Sequence, residues 1–142
     1  MKKRKKKLKR KKYSLNLNKT QEQKFLKTLV SQQALSLSDR ITYAYIINTK
    51  TNETIEVTNV SYEVEIEKHR ETIVHYDSEH GYLHKHIKLS LFDDREIITR
   101  GGVVKKGNPK RWLTWAIEDI QKNFYDYRRL FFKRSKVIDN YY

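Results

Sequence analysis

Residues 108–134 read NPKRWLTWAIEDIQKNFYDYRRLFFKR, and this stretch decides the fold. Leu113, Ile117, Ile120, Phe124, Tyr127 and Phe131 follow one another at steps of four and three, which draws one apolar stripe along a helix of more than five turns. Asn108 is suited to cap its start, and Pro109 sits at the first helical position, where a missing N–H costs nothing. Glu118 and Asp119 fall in the first half, and Arg128, Arg129, Lys133 and Arg134 in the last turns, an order that suits the helix dipole. The spacing therefore predicts a helix from Pro109 to about Lys133, packed by its stripe against an apolar surface.

Upstream the period changes from helical to two. Tyr62, Val64 and Ile66 alternate with Glu63, Glu65 and Glu67, the pattern of a strand with one dry and one wet face. Ile41 to Asn48 is β-branched and aromatic, and Thr49 to Asn52 makes a turn into a further strand, Thr54 to Val60. A turn at His69-Arg70 leads into Thr72 to Tyr76. His84 to Leu91 alternates again, with Ile87, Leu89 and Leu91 on one face and His84, His86, Lys88 and Ser90 on the other. Asp93-Asp94 makes the next turn, and Glu96 to Arg100 returns as a strand. Between Asn18 and Leu37, Phe25, Leu26, Leu29 and Val30 recur at helical spacing behind a cap at Asn18 or Thr20. The expected architecture is α+β: an antiparallel meander of four to six strands packed by the long C-terminal helix, with a short N-terminal helix.

The chain has 142 residues, with 31 Lys+Arg against 17 Asp+Glu and a net charge of +14. Hydrophobic residues at 37% and aromatics at 12% supply a core for one domain. Cysteine is absent, which excludes disulfides and thiolate chemistry. There is no run of 18 apolar residues and no apolar segment behind the basic N-terminus, so no membrane partner or secretory signal is expected, and the cytoplasm is the default location. The charge is unevenly spread: residues 1–12 (MKKRKKKLKRKK) carry +10, residues 38–99 carry −5 and residues 100–142 carry +7. Residues 1–17 are expected to form a disordered polybasic tail before a single domain at 18–142. Such a tail either holds phosphates without regard to sequence or simply aids solubility.

Four of the five histidines fall in the segment His75-Tyr76-Asp77-Ser78-Glu79-His80-Gly81-Tyr82-Leu83-His84-Lys85-His86. On a strand His84 and His86 share a face, about 7 Å apart. Three readings stay open. The histidines cleave RNA by general acid and base, with Lys85 or Arg100 holding the phosphate. Or His84 and His86, with His80 or Asp77, ligate a divalent metal, although no cofactor is required. Or they are polar groups on the wet face of a sheet. A second candidate surface is the Gly-rich basic loop leading into the helix, with Arg100, Lys105, Lys106, Lys110 and Arg111, where backbone N–H groups favour an anion. Arg128 and Arg129 add a basic face at the far end of the helix.

The order Tyr76-Asp77, His80-Gly81-Tyr82 and His84-Lys85-His86, followed by the helix, resembles a group of small prokaryotic proteins with a "YD…HG…HxH" core, similar to TumE-type toxins of toxin–antitoxin pairs. It covers roughly residues 61–134; the tail and the N-terminal segment lie outside it. The resemblance implies a compact α+β fold, a toxin that targets RNA above DNA, an antitoxin protein as partner, and Tyr76, Asp77, His80, His84 and His86 as the site. The expectation is a toxin-like ribonuclease with His84 and His86 as acid and base, oriented by His80 and Asp77. The alternative is a non-catalytic RNA- or DNA-binding module.

Overall fold

A helix, α1, spans Pro109–Ser135 in the computed structural model, which describes residues 24–79, 81–99 and 107–139. Asn108 caps it as expected, its side chain accepting the Arg111 N–H at 3.2 Å. Its far end closes on Lys136, in the left-handed region at φ 54°. Leu113, Ile120 and Phe131 of the predicted stripe are buried, and Ile117, Phe124 and Tyr127 pack half-buried beside them.

The stripe lies on a six-stranded antiparallel meander of β1 (Leu26–Ala34), β2 (Asp39–Asn48), β3 (Thr54–Ile66), β4 (His69–Asp77), β5 (His84–Ser90) and β6 (Asp93–Ile98), in that spatial order. α1 covers one face, where Ile41, Val57, Val60, Tyr62, Val64, Val74 and Tyr76 meet it in the core. Among the described residues no element covers the opposite face. No helix among them is long and apolar enough to cross a membrane.

Four local expectations are corrected. Residues 26–34, placed in the N-terminal helix by spacing, form β1, paired with β2 from Leu26↔Asn48 to Ala34↔Arg40. Leu29 is half-buried while Val30 is 76% exposed, so what looked like helical spacing serves a strand whose ladder bonds override a weak local preference. Residues 18–23 and the tail lie outside the described residues. Thr54 to Val60 and Tyr62 to Ile66 are one 13-residue strand. Its register shifts opposite Ala44/Tyr45, and the extra residue puts both Val57 and Val60 into the core although they are three apart. The β3–β4 turn is Glu67-Lys68, both left-handed at φ 49° and 68°, so His69 already pairs with Ile66. The β5–β6 turn is Leu91-Phe92, and Asp93 begins β6.

Candidate functional site

The pleat separates the histidine segment into two sites on opposite faces. β4 and β5 pair His75 with His86, Tyr76 with Lys85 and Asp77 with His84. Because successive side chains alternate, His75, Asp77, His84 and His86 face the open side, while Tyr76 and Lys85 turn under α1.

On the open face the imidazoles of His75 and His86 stack in parallel, centroids 4.2 Å apart and planes within 5°. Asp77 Oδ2 lies 3.2 Å from His86 Nε2, and Glu96 Oε2, from β6, lies 3.3 Å from His86 Nδ1. The other Glu96 oxygen is 3.9 Å from His75 Nε2. His86 makes both contacts as hydrogen bonds only when both its nitrogens carry protons. Burial, then the neighbouring His86, hold the His75 pKa below the ordinary histidine value of 6.5, against the opposing pull of Glu96 and Asp77. Beside the pair runs a shallow groove of about 590 Å³ whose walls include Asn59, Ser61, Arg70, Glu71, Lys88 and Glu96. Lys88 is ion-paired with Glu71 at 3.2 Å, and Arg70 is exposed. His75, Asp77 and His86 each offer one donor atom within 4.8 Å of the others, a grouping that could hold a metal ion.

The structure thus brings Asp77 and His86 together, but with His75 rather than His84. The His84 ring leans back on its own strand, with Nδ1 3.1 Å from the Tyr82 carbonyl and the Tyr82 ring edge-on at 6.2 Å. His75 and Glu96 were absent from the expected set. Counting back from His86 across a tight antiparallel pair would have found His75, had the β4–β5 register been known. His80 lies outside the described residues, as do Arg100, Lys105 and Lys106.

Tyr76 and Lys85 belong to a different construction. Asp119 of α1 accepts from Lys85 Nζ at 3.2 Å, from the Tyr127 hydroxyl at 2.7 Å and from the Tyr76 hydroxyl, and its other oxygen accepts from Asn123 at 2.9 Å. The Lys85 ammonium also contacts the Tyr127 hydroxyl and lies 4.7 Å from that ring's centre. Burial alone would raise the Asp119 carboxyl, but the hydrogen bonds from Tyr76 and Tyr127 and the Lys85 charge hold it below the usual carboxylate range. Burial first, then Asp119, push both tyrosine hydroxyls well above the usual value. Lys85 is therefore committed to a carboxylate beneath the helix and does not face the histidine pair.

The basic residues also divide. Lys110 and Arg111 are exposed at the start of α1 and line a shallow cleft of about 370 Å³ with Trp115. Trp112 and Trp115 are half-buried against the core, and Trp115 meets Tyr76 edge-on at 5.7 Å. Arg129 is exposed, 3.5 Å from Asp126. Arg128 is not a surface residue: it is 4% exposed, and its guanidinium bonds Asp39 at 2.7 Å, Ser38 at 2.8 Å and Asp139 at 2.9 Å. That removes it from any nucleic-acid surface.

No curated protein and no solved structure is significantly similar to the chain. One family does match, over residues 4–137, nearly the whole length, and the chain belongs to it: the family described as Domain of unknown function (DUF7718).

Proposed function

We propose that this chain targets nucleic acid, RNA above DNA, and is a toxin-like ribonuclease working at the open sheet face. The observation that carries the reading is the stacked His75–His86 pair held between Asp77 and Glu96. Burial and the neighbouring His86, stacked at 4.2 Å, hold the His75 pKa below the ordinary histidine value, which favours the neutral ring that a general base requires. His75, half-buried, takes the proton from a ribose 2′-hydroxyl. His86, between two carboxylates, delivers one to the leaving oxygen. Asp77 orients His86, and Glu96, the more exposed carboxylate at 37% against 21%, gives up its place at Nδ1 to the leaving group. Arg70 and Lys88, which line the groove, take the phosphate role first expected of Lys85 and Arg100. The groove also carries Glu71, Asp94 and Glu96, so affinity for a polyanion comes from elsewhere, chiefly the +10 of residues 1–12. The motif resemblance to TumE-type toxins, of whose five implied site positions Asp77 and His86 fall at this pair, adds an antitoxin protein as the expected partner.

Cleavage of single-stranded RNA by the full chain, in excess EDTA, tests this. His75→Ala or His86→Ala should lower the rate by about 10²–10⁴-fold, the contribution of a positioned proton-transfer group. His84→Ala should change it by no more than a few fold. A substrate with 2′-deoxyribose at the scissile position should stay intact, because the nucleophile is missing. A His75/His86 double variant that cuts at the wild-type rate overturns the assignment.

The position of the charge favours a second reading, a non-catalytic binding module. Deleting residues 1–12 should weaken RNA binding and flatten its salt dependence, by about 0.7 in the logarithmic slope for every single-strand phosphate that the tail no longer neutralises. Tight, salt-dependent binding with no cleavage under any condition selects the module; binding unaffected by the deletion removes the tail from either account.

A further inference from the structure

We infer that the open-face cluster is also a site for a divalent transition-metal ion, with His75, Asp77 and His86 as ligands and Glu96 as the residue that positions His86. Asp77 Oδ2 and His86 Nε2 are 3.2 Å apart. Two ligands of one tetrahedral ion at about 2.0–2.2 Å bond length stand about 3.3–3.6 Å apart, so this edge of the coordination shell is close to formed. His75 supplies a third donor atom within 4.8 Å of both. Glu96 adds an independent indication. It lies 3.3 Å from His86 Nδ1, on the opposite side of the ring from Asp77. When His86 donates its Nδ1–H to the Glu96 carboxylate, the Nε2 lone pair is left facing Asp77, the arrangement that orients metal-bound histidines in general.

The ligand set states which ion fits. Two imidazoles and one carboxylate suit zinc, cobalt or nickel rather than magnesium or calcium, which prefer oxygen. Three protein ligands leave a fourth position open. The parallel stack of the two rings does not converge on one point, so binding splays the rings and ends the stacking seen at 4.2 Å. The ion occupies the nitrogens that move protons in the ribonuclease reading. That it would silence cleavage rests on that reading; that it binds does not.

Titration of cobalt(II) and of zinc(II) alone into the full chain, read by calorimetry and by cobalt's visible absorption, tests the site. One equivalent should bind saturably and magnesium should not. His75→Ala and His86→Ala should each weaken binding at least 100-fold, and Asp77→Asn should weaken it too. Glu96→Gln, which removes no ligand, should weaken binding about 10–100-fold while leaving the melting curve in place. His69→Ala and His84→Ala should bind as wild type. Absence of saturable binding, or binding unchanged in the His75/His86 double variant, overturns the site and leaves the ribonuclease reading standing. Binding by a chain that cleaves no RNA in excess EDTA keeps the site and overturns the ribonuclease, and binding that leaves cleavage unchanged keeps the site and removes His75 and His86 from the cleavage chemistry. Binding that accelerates cleavage keeps the site and replaces the acid–base mechanism by a metal-assisted one.

Discussion

Replacing Arg128 by alanine should destabilise the fold by about 3–5 kcal/mol, the cost of removing one partner of a buried ion pair. The guanidinium side chain is 5% exposed and the Asp39 carboxylate 0%. Asp39 gathers Arg128, Tyr62 and Ser36, so it ties α1 to β2, β3 and the β1–β2 turn at one point. Arg128 in turn holds Asp139 beyond the helix end and packs 4.9 Å over Phe132. Without the arginine the carboxylate stays buried with two hydroxyl donors and no charge opposite it. Domains of this size hold about 5–15 kcal/mol in total, so the variant should melt about 10–20 °C lower. Arg128→Met, which keeps most of the apolar stem, should cost nearly as much if the stranded charge dominates. Adding Asp39→Asn to it should then recover stability instead of losing more, giving a coupling of about 0.5–3 kcal/mol in a double-mutant cycle. Urea unfolding measures all four corners. A loss below about 1 kcal/mol for Arg128→Ala would show that the pair is exposed in solution and that α1 is held by its apolar stripe alone.

Arg128 also shows where reading the sequence fails. Its neighbours Arg129, Lys133 and Arg134 are exposed cations at a helix end, and nothing local distinguishes it from them. Its difference is set by Asp39, 89 residues away. The apolar periods of α1 and β3 were legible because burial of one face imposes them residue by residue; in β5 His84 to Leu89 are all half-buried, and Ser90, expected on the wet face, is buried beyond a register shift. β1 was not legible, since a nearly fully exposed strand carries no period of two, its few apolar residues fall at a misleading helical spacing, and it is fixed by its ladder with β2. Turn positions were off by two residues at both Glu67-Lys68 and Leu91-Phe92 for the same reason: register belongs to the pair of strands, not to the turn sequence.

The histidine segment was legible as a concentration of chemistry and illegible as a geometry. Residues 75–77 and 84–86 form two adjacent strands, so the partner of His86 is the residue opposite, His75, and not His84 two places back. Tyr76 and Lys85 show the converse. They are sequence neighbours of the site residues and stand on the other side of the sheet, so a motif quoted as a run of letters merges two faces that never meet.

Asp119→Ala should likewise destabilise the fold by about 3–5 kcal/mol at neutral pH, and the effect should fade in acid. Four donors converge on the Asp119 carboxylate from both layers of the fold: Lys85 of β5, Tyr76 of β4, and Tyr127 and Asn123 of α1. Alanine leaves an ammonium whose side chain is 16% exposed, with only hydroxyls for company. Asn would keep the shape, but it brings an amide N–H₂ to a place already surrounded by donors and cannot balance the lysine; it should cost about 2–4 kcal/mol, between a lost hydrogen bond to a charge and a broken buried pair. The pH dependence follows from the direction of the shift. The folded state holds the Asp119 carboxyl below its unfolded value of about 3.9, so the stabilisation is complete above that value. It is lost as pH falls through about 3.9 toward the lower folded value, because the protonated group no longer balances Lys85. Urea unfolding of wild type and Asp119→Asn should therefore differ most at about pH 6–7 and converge as the pH is lowered below about 4. A difference that stays constant down to about pH 3 would mean that shape, and not the carboxylate charge, fastens α1 to the sheet.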